Sequence, residues 1–501
     1  MTTRPSRITA PAIMLFVLGV STSVFAQATT NQLNIKVAYP TAAPGSPKLQ
    51  PLPDTFSAQS HPAPTPTPLP AHLSVSGKVR GYSFDRLNRV QNAANPNRHS
   101  NEFGALLHLD YRIGDSPFSI GYTYAGAYDF GLNGPKAISN PHIDNTLPGF
   151  PINSPIHEAY IQYRDGSNYL SLGDQELNLP WAPSSDSRLQ PASYQAFDST
   201  FKVTDEISFG LTRIIRFEPR NSSNFNPNTL LTAAYPGATI DKFEAYTPGA
   251  LRAGLNFHPS ARFDFSADTY EFYNIANLEY GEAKYGLDPY STVNPYVAAQ
   301  YVQEDAAGTR DLGRINNHTI GLQLGANVLK GLLFSVSADD APWQYATVHA
   351  ASAGAATSGF FVGSGGSGTA VKVAPGVFKV AYGGIASPYT DSYASDPIYT
   401  AQISQGVVDR RSAAASEKIA LVYTPPNKQW KLIADEGWYN YSNIIANNVV
   451  SEFNVDGTYY LSKVRPGPYK GLFVRVRIAP RQQPILPFGF EYQRFQAEYD
   501  F

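Results

Sequence analysis

From His72 to Phe501 the chain is written largely in a two-residue alternation, with apolar side chains on one parity and polar or charged ones on the other. In the closing run Phe495, Ala497, Tyr499 and Phe501 share one parity, and Gln496, Glu498 and Asp500 share the other. Successive side chains of a strand point to opposite faces, so each such run reads as a strand with one apolar and one wet face. Leu73, Val75, Gly77 and Val79 oppose Ser74, Ser76, Lys78 and Arg80 in the same way. Ala105, Leu107, Leu109, Tyr111 and Ile113 oppose Leu106, His108, Asp110 and Arg112, and the runs at 118–124, 157–164 and 472–478 repeat the pattern. Formal charge on one parity excludes a strand with both faces in a protein core. A soluble sandwich and a membrane barrel both satisfy that condition.

The connections favour the barrel. Short polar links recur at Gly114-Asp115-Ser116, 164–168, Thr204-Asp205-Glu206, His258-Pro259-Ser260, Leu329-Lys330-Gly331 and 425–428. Between them lie longer Gly-, Asn- and Pro-rich stretches at 131–155, 173–193, 220–247, 274–310, 341–375 and 382–415. Tight turns on one rim and long loops on the other are the asymmetry of an outer-membrane barrel. With both ends of the strand series on the short-turn rim, the strand number is even. About sixteen strands can be placed, and 341–415 has room for one more pair.

Residues 1–26 read as an export signal. Arg4 and Arg7 precede a short apolar run at 12–20, and Val24-Phe25-Ala26 resembles a cleavage site. That run is far shorter than the ~20 residues of a spanning helix. No later uncharged segment reaches that length, so entry into a membrane requires a closed barrel that satisfies its own backbone. Residues 27–71 form a separate Pro-rich region, read as an extended periplasmic arm or linker. The barrel domain then covers 72–501. With no cysteine, disulfide frameworks and thiol metal sites are excluded, and a net charge of −2 offers no field for nucleic acid. Tyr (32) outnumbers Phe (28), which suits a membrane–water interface.

Several passages resemble the OprD-type family of substrate-selective outer-membrane porins, across most of 72–501. They are the opening strand VRGYSFDR at 79–86, the segment at 173–197 with Ser-Arg-Leu-x-Pro at 187–191, and RFEPRNSSNF at 216–225. The segment at 387–411, the Arg-x-Arg strand GLFVRVRIAP at 471–480 and the last strand at 490–501 complete the set. The resemblance implies an 18-stranded antiparallel barrel, two strands more than the alternation alone places. It also implies a last strand read by barrel-assembly machinery, a lipid-embedded monomer or homotrimer in the bacterial outer membrane, and passive diffusion of small solutes. The Pro-rich arm has no counterpart in it.

Strand parity sends Arg80, Arg475, Arg477 and Arg494 to the wet face, because an arginine facing mid-bilayer lipid costs ~2–4 kcal/mol. By resemblance these residues and Arg188, with Arg86 as a lesser member, form a basic ladder for carboxylates. Arginine suits that role through its permanent charge and bidentate fork. The plainer alternative is ion pairing with lumen acids such as Asp110, Glu158 or Glu498. The 173–193 segment, stiffened by Pro180, Pro183 and Pro191, is expected to fold inward as a constriction carrying Asp174, Glu176 and Asp186 beside Arg188. Asp186 and Arg188 equally suit a staple to the wall. The resemblance further places Asp340 and Tyr345 at the eyelet. Metal and cofactor sites are not expected: the nine His lack ligand spacing, and no nucleophile elbow, phosphate loop or His-Glu-x-x-His motif occurs. The leading expectation is a porin passing carboxylates or amino acids, against a barrel hydrolase or a non-conducting adhesive barrel.

Overall fold

The computed structural model describes residues 72–88, 96–134, 142–143, 152–180, 182–184, 189–218, 223–225, 248–288, 291–310, 313–342, 344–360, 369–382, 415–440, 449–461, 471–482 and 490–501. The export signal and the Pro-rich arm lie outside them, as do Asp186 and Arg188.

Among the described residues eighteen strands form one antiparallel sheet. They are β1 (Leu73–Asn88), β2 (Arg98–Arg112), β3 (Phe118–Tyr128), β4 (Ile152–Asp165), β5 (Asn168–Gln175), β6 (Ser193–Lys202), β7 (Ile207–Glu218), β8 (Ala250–Ser260) and β9 (Phe263–Phe272). The series continues with β10 (Ala276–Gly286), β11 (Tyr296–Ala306), β12 (Asn316–Leu329), β13 (Leu332–Asp340), β14 (Ala415–Tyr423), β15 (Trp430–Asn440), β16 (Val449–Tyr460), β17 (Leu472–Gln482) and β18 (Phe490–Asp500). Each pairs with its neighbours in sequence, and β1 closes the cylinder by pairing with both β2 and β18, Val79 lying opposite Ala105 and Tyr499. Closure removes both sheet edges, which is what a sheet needs to cross lipid.

The alternation sets the two faces. On β12, Ile320, Leu322, Leu324 and Val328 are 50–60% exposed, whereas Thr319 and Gln323, on the other parity, are buried. Eight residues at ~3.3 Å each, tilted by ~40°, span about 20 Å of height, close to the ~25 Å apolar band of an outer-membrane barrel. Val476, Ile478, Phe495 and Phe501 continue the band across the closing strands. Short connections at 113–117, 166–167, 203–206, 261–262, 330–331 and 424–429 lie on the end where β1 begins.

The barrel has the eighteen strands that the resemblance implies, two more than the sixteen that the alternation places. The missing pair is β10 and β11, inside the stretch expected as a loop at 274–310. Its apolar code is inverted near the top: Leu278, Tyr280 and Val302 are buried inward, while Asn277 and Glu279 are exposed outward. The link before β10 is a tight turn at 273–275, with Asn274 at φ 65°. Conversely, the described part of 341–415 adds no strand to the barrel. There Gln344–His349, Val377–Tyr382 and Thr369–Ala374 form a separate three-stranded sheet over a small core of Ala356, Phe378 and Val380.

Candidate functional site

Four of the predicted arginines, Arg80, Arg475, Arg477 and Arg494, gather on β1, β17 and β18, and each has an ionic or aromatic partner. The Arg475 guanidinium donates from Nε to Asp456 Oδ1 at 2.8 Å, and a second nitrogen reaches Asp456 Oδ2. Arg477 donates from Nε to the same carboxylate at 2.8 Å. Arg80 Nε lies 2.9 Å from Glu498 Oε2, and the Arg494 guanidinium sits 5.2 Å over the Tyr82 ring. One carboxylate thus serves two arginines. All four arginines are buried, Arg475 keeping 6% exposure and Arg80 1%. Arg86, higher on β1, is half-buried.

The plainer pairing expectation is right for Glu498 and wrong for Glu158, which faces His108 at 3.5 Å. Asp456 was missed, although Asn454, Asp456 and Thr458 share the buried parity of β16. Along β1 and β14–β18, five buried basic residues (Arg80, Lys418, Arg475, Arg477, Arg494) face four buried acids (Asp435, Glu452, Asp456, Glu498) among those described. On β6–β13 the balance reverses. Asp198, Glu218, Asp268, Glu304 and Asp339 are buried there, with only Arg252 and Lys284 as bases. Arg252 pairs with Asp268, the Thr212 hydroxyl donates to Asp198 at 2.8 Å, and Gln300 Nε2 donates to Asp339 at 3.2 Å. Two half-walls of opposite bias face each other across the lumen.

The segment after β5 crosses between them. Leu177 donates its N–H to Ser184 Oγ at 2.6 Å and accepts the Ser184 N–H at 2.6 Å, which closes a small hairpin through Asn178–Leu179 and Ala182–Pro183. Leu177, Leu179 and Ala182 join a buried cluster with Tyr194, Phe217, Tyr270, Phe272, Leu278 and Tyr280 on β6–β10. Leu189, twelve residues beyond Leu177, packs instead on Tyr82, Phe84, Ala127 and Ala479 from β1, β3 and β17. These strands lie on opposite sides of the cylinder, so the described residues before and after 185–188 rest against opposite walls. The loop arrives beside the arginine wall at Gly104, where a Cβ would sit 2.7 Å from the Leu189 carbonyl oxygen. Glycine is what admits so close a backbone approach.

Other predicted site residues stand elsewhere. Asp174 is not in the loop: it belongs to β5 and shares the outward parity of Leu172, accepting from Gln195 Nε2 at 3.1 Å. Glu176 is at the loop root, its N–H donating to Glu158 Oε1 at 2.8 Å. Asp340 is exposed at the end of β13, opposite the lipid-facing Ile320, so the inward acid there is its neighbour Asp339. Tyr345 lies on the separate sheet, with the Lys379 ammonium 4.0 Å from its ring. Neither Asp340 nor Tyr345 meets the arginine wall.

A family model described as outer membrane porin, OprD family, matches residues 74–358. No curated protein sequence is similar enough to count as a relative. Among solved structures the fold is similar to OccAB4 of Acinetobacter baumannii, at 13% identity and TM-score 0.61, covering 86% of this chain and 98% of that one. It is also similar to OccK9 (OpdG) of Pseudomonas aeruginosa, at 15% identity and TM-score 0.61, with 86% and 98% covered. OpdK of Pseudomonas aeruginosa with vanillate shares 13% identity at TM-score 0.59, over 86% and 98% of the two chains. With the family model spanning more than half of the sequence, and with the closed eighteen-stranded barrel, the chain belongs to the OprD family of bacterial outer membrane porins.

Proposed function

We propose that this porin passes small carboxylate-bearing solutes, amino acids among them, by passive diffusion between the inward loop and the arginine wall. The observation that carries the reading is the sharing of Asp456 by Arg475 and Arg477. A solute carboxylate competes with Asp456 for these two guanidiniums. Charge-assisted, forked hydrogen bonds favour that exchange, and because the internal acid can return, the solute also leaves. The acidic bias of β6–β13 supports a role in turning a zwitterion's ammonium away from the arginines. The pairing of OpdK with vanillate, an aromatic carboxylate, supports the same solute class by likeness of fold. In this reading Arg188 and Asp186 complete the loop's share of the pathway. Residues 1–26 direct export, and 27–71 form a periplasmic arm ahead of β1.

One observation favours a second reading. With Arg80 and Arg494 buried and Leu189 seated on the arginine wall, the lumen suits a barrel that its own loop keeps shut. Liposome swelling with a panel of organic acids, amino acids and neutral sugars separates the two. The porin reading predicts faster swelling with carboxylates than with sugars of equal size. Equal or absent swelling for every solute would leave the closed barrel.

A further inference from the structure

We propose that His157 is the positioning residue that holds the inward loop across the lumen, acting as an imidazolium between Glu176 and Glu218; the inference rests on the constriction reading above. Two interruptions of the barrel ladder converge on the loop root. On β4 the register with β3 slips between Thr123 and Ala125, so that residues 155–157 stand opposite Tyr124 alone. The bulge breaks the alternation and turns the adjacent residues His157 and Glu158 both inward, where both are buried. On β7 the register with β6 slips at Gln195 and Ala196, and beyond it both Phe217 and Glu218 are buried. Bulges of this kind re-aim side chains, and they concentrate beside functional sites.

The result is a buried ring between two carboxylates. His157 Nδ1 lies 3.3 Å from Glu218 Oε2, both side chains having no exposure. His157 Nε2 lies 3.8 Å from Glu176 Oε1, a looser contact at the half-exposed loop root. A neutral imidazole carries one N–H and one lone pair, so it would aim a lone pair at one of these acids. The doubly protonated ring suits both and supplies the counter-charge that a buried Glu218 requires. The Glu158 carboxylate holds the same root, Oε1 accepting the Glu176 backbone N–H at 2.8 Å and Oε2 the Thr123 hydroxyl at 2.5 Å, with His108 beside it. Asp174, Arg216 and Asp110 are further charged groups near this junction among the described residues. The loop therefore leaves the wall from a point fixed by adjacent residues of one bulge. Its far end, at Leu189, covers Tyr82 and Phe84 beside the arginines.

The test uses the absence of natural cysteine. With Leu189→Cys as the sole thiol in the full-length barrel refolded into lipid vesicles, maleimide labelling reports how often the loop's far end lifts. Adding His157→Gln is expected to speed labelling by about tenfold or more, because the pair loses its charged member. Adding His157→Lys is expected to leave labelling near the parent rate. Unchanged labelling in His157→Gln overturns the proposal, and so does equal acceleration in His157→Lys, which would assign the effect to packing. Should His157→Gln fail to fold, as judged by heat-modifiable electrophoretic mobility, Glu176→Gln at the loop root is expected to accelerate labelling and, if it does not, overturns the proposal equally. Labelling needs no solute flux, so a barrel that conducts nothing would refute the proposed function while leaving this result to stand alone.

Discussion

In the proposed reading Asp456 sets how much of the arginine wall is available to a solute. It is inward on β16 and binds two guanidiniums, so Asp456→Asn removes a competitor without removing a base. We expect that variant to raise anion preference in a planar bilayer, with reversal potential as the check; an unchanged potential would mean that these arginines lie off the pathway. Gly104 makes a second test. A methyl group there meets the Leu189 carbonyl at 2.7 Å, so Gly104→Ala must push the loop limb away or strain β2. Overpacking of this kind costs about 1–3 kcal/mol. Urea unfolding from lipid vesicles is expected to show that loss, and no shift in midpoint would contradict the close approach. At the lipid face, Leu322→Arg is expected to cost ~2–4 kcal/mol, measured by the same unfolding.

In the proposed reading the loop after β5 is the element that makes a wide cylinder selective. Its two limbs are buried against opposite walls, Leu177 and Leu179 on β6–β10 and Leu189 on β1 and β17. Deleting the loop between Leu177 and Pro191 is expected to raise single-channel conductance several-fold and to flatten discrimination between carboxylates and sugars. A loop that only decorates the outer mouth would leave both unchanged. Much of this element was readable in sequence, where stiff prolines and a Ser-Arg-Leu-x-Pro signature follow a strand. The strand faces were readable too, because lipid and water enforce the two-residue period on Leu73, Val75, Val79 and Phe495 alike. Continuing that period by one pair would also have sent Asp174 with Leu172 and Asp340 with Val336 to the outside. What the period could not show lies where it fails. His157 and Glu218 turn inward through bulges at 155–157 and 215, and β10 and β11 carry apolar residues inward because the loop packs on them.

For the whole molecule, the buried charges among the described residues bias β14–β18 and β1 towards basic and β6–β13 towards acidic. A transverse bias of this form orders dipolar solutes and favours those whose carboxylate faces the arginines. In the proposed reading transport depends on the loop yielding as well as on charge, because Leu189 packs on Tyr82 and Phe84, and the Arg494 guanidinium lies over the Tyr82 ring. The most direct measurement is the reversal potential of single channels across a potassium chloride gradient, for the natural chain and for Arg475→Gln with Arg477→Gln. Discrete steps with anion preference in the natural chain, and loss of that preference in the double variant, are the predicted result. A barrel that shows no steps, or an identical potential in the two proteins, would contradict an arginine-guided pore.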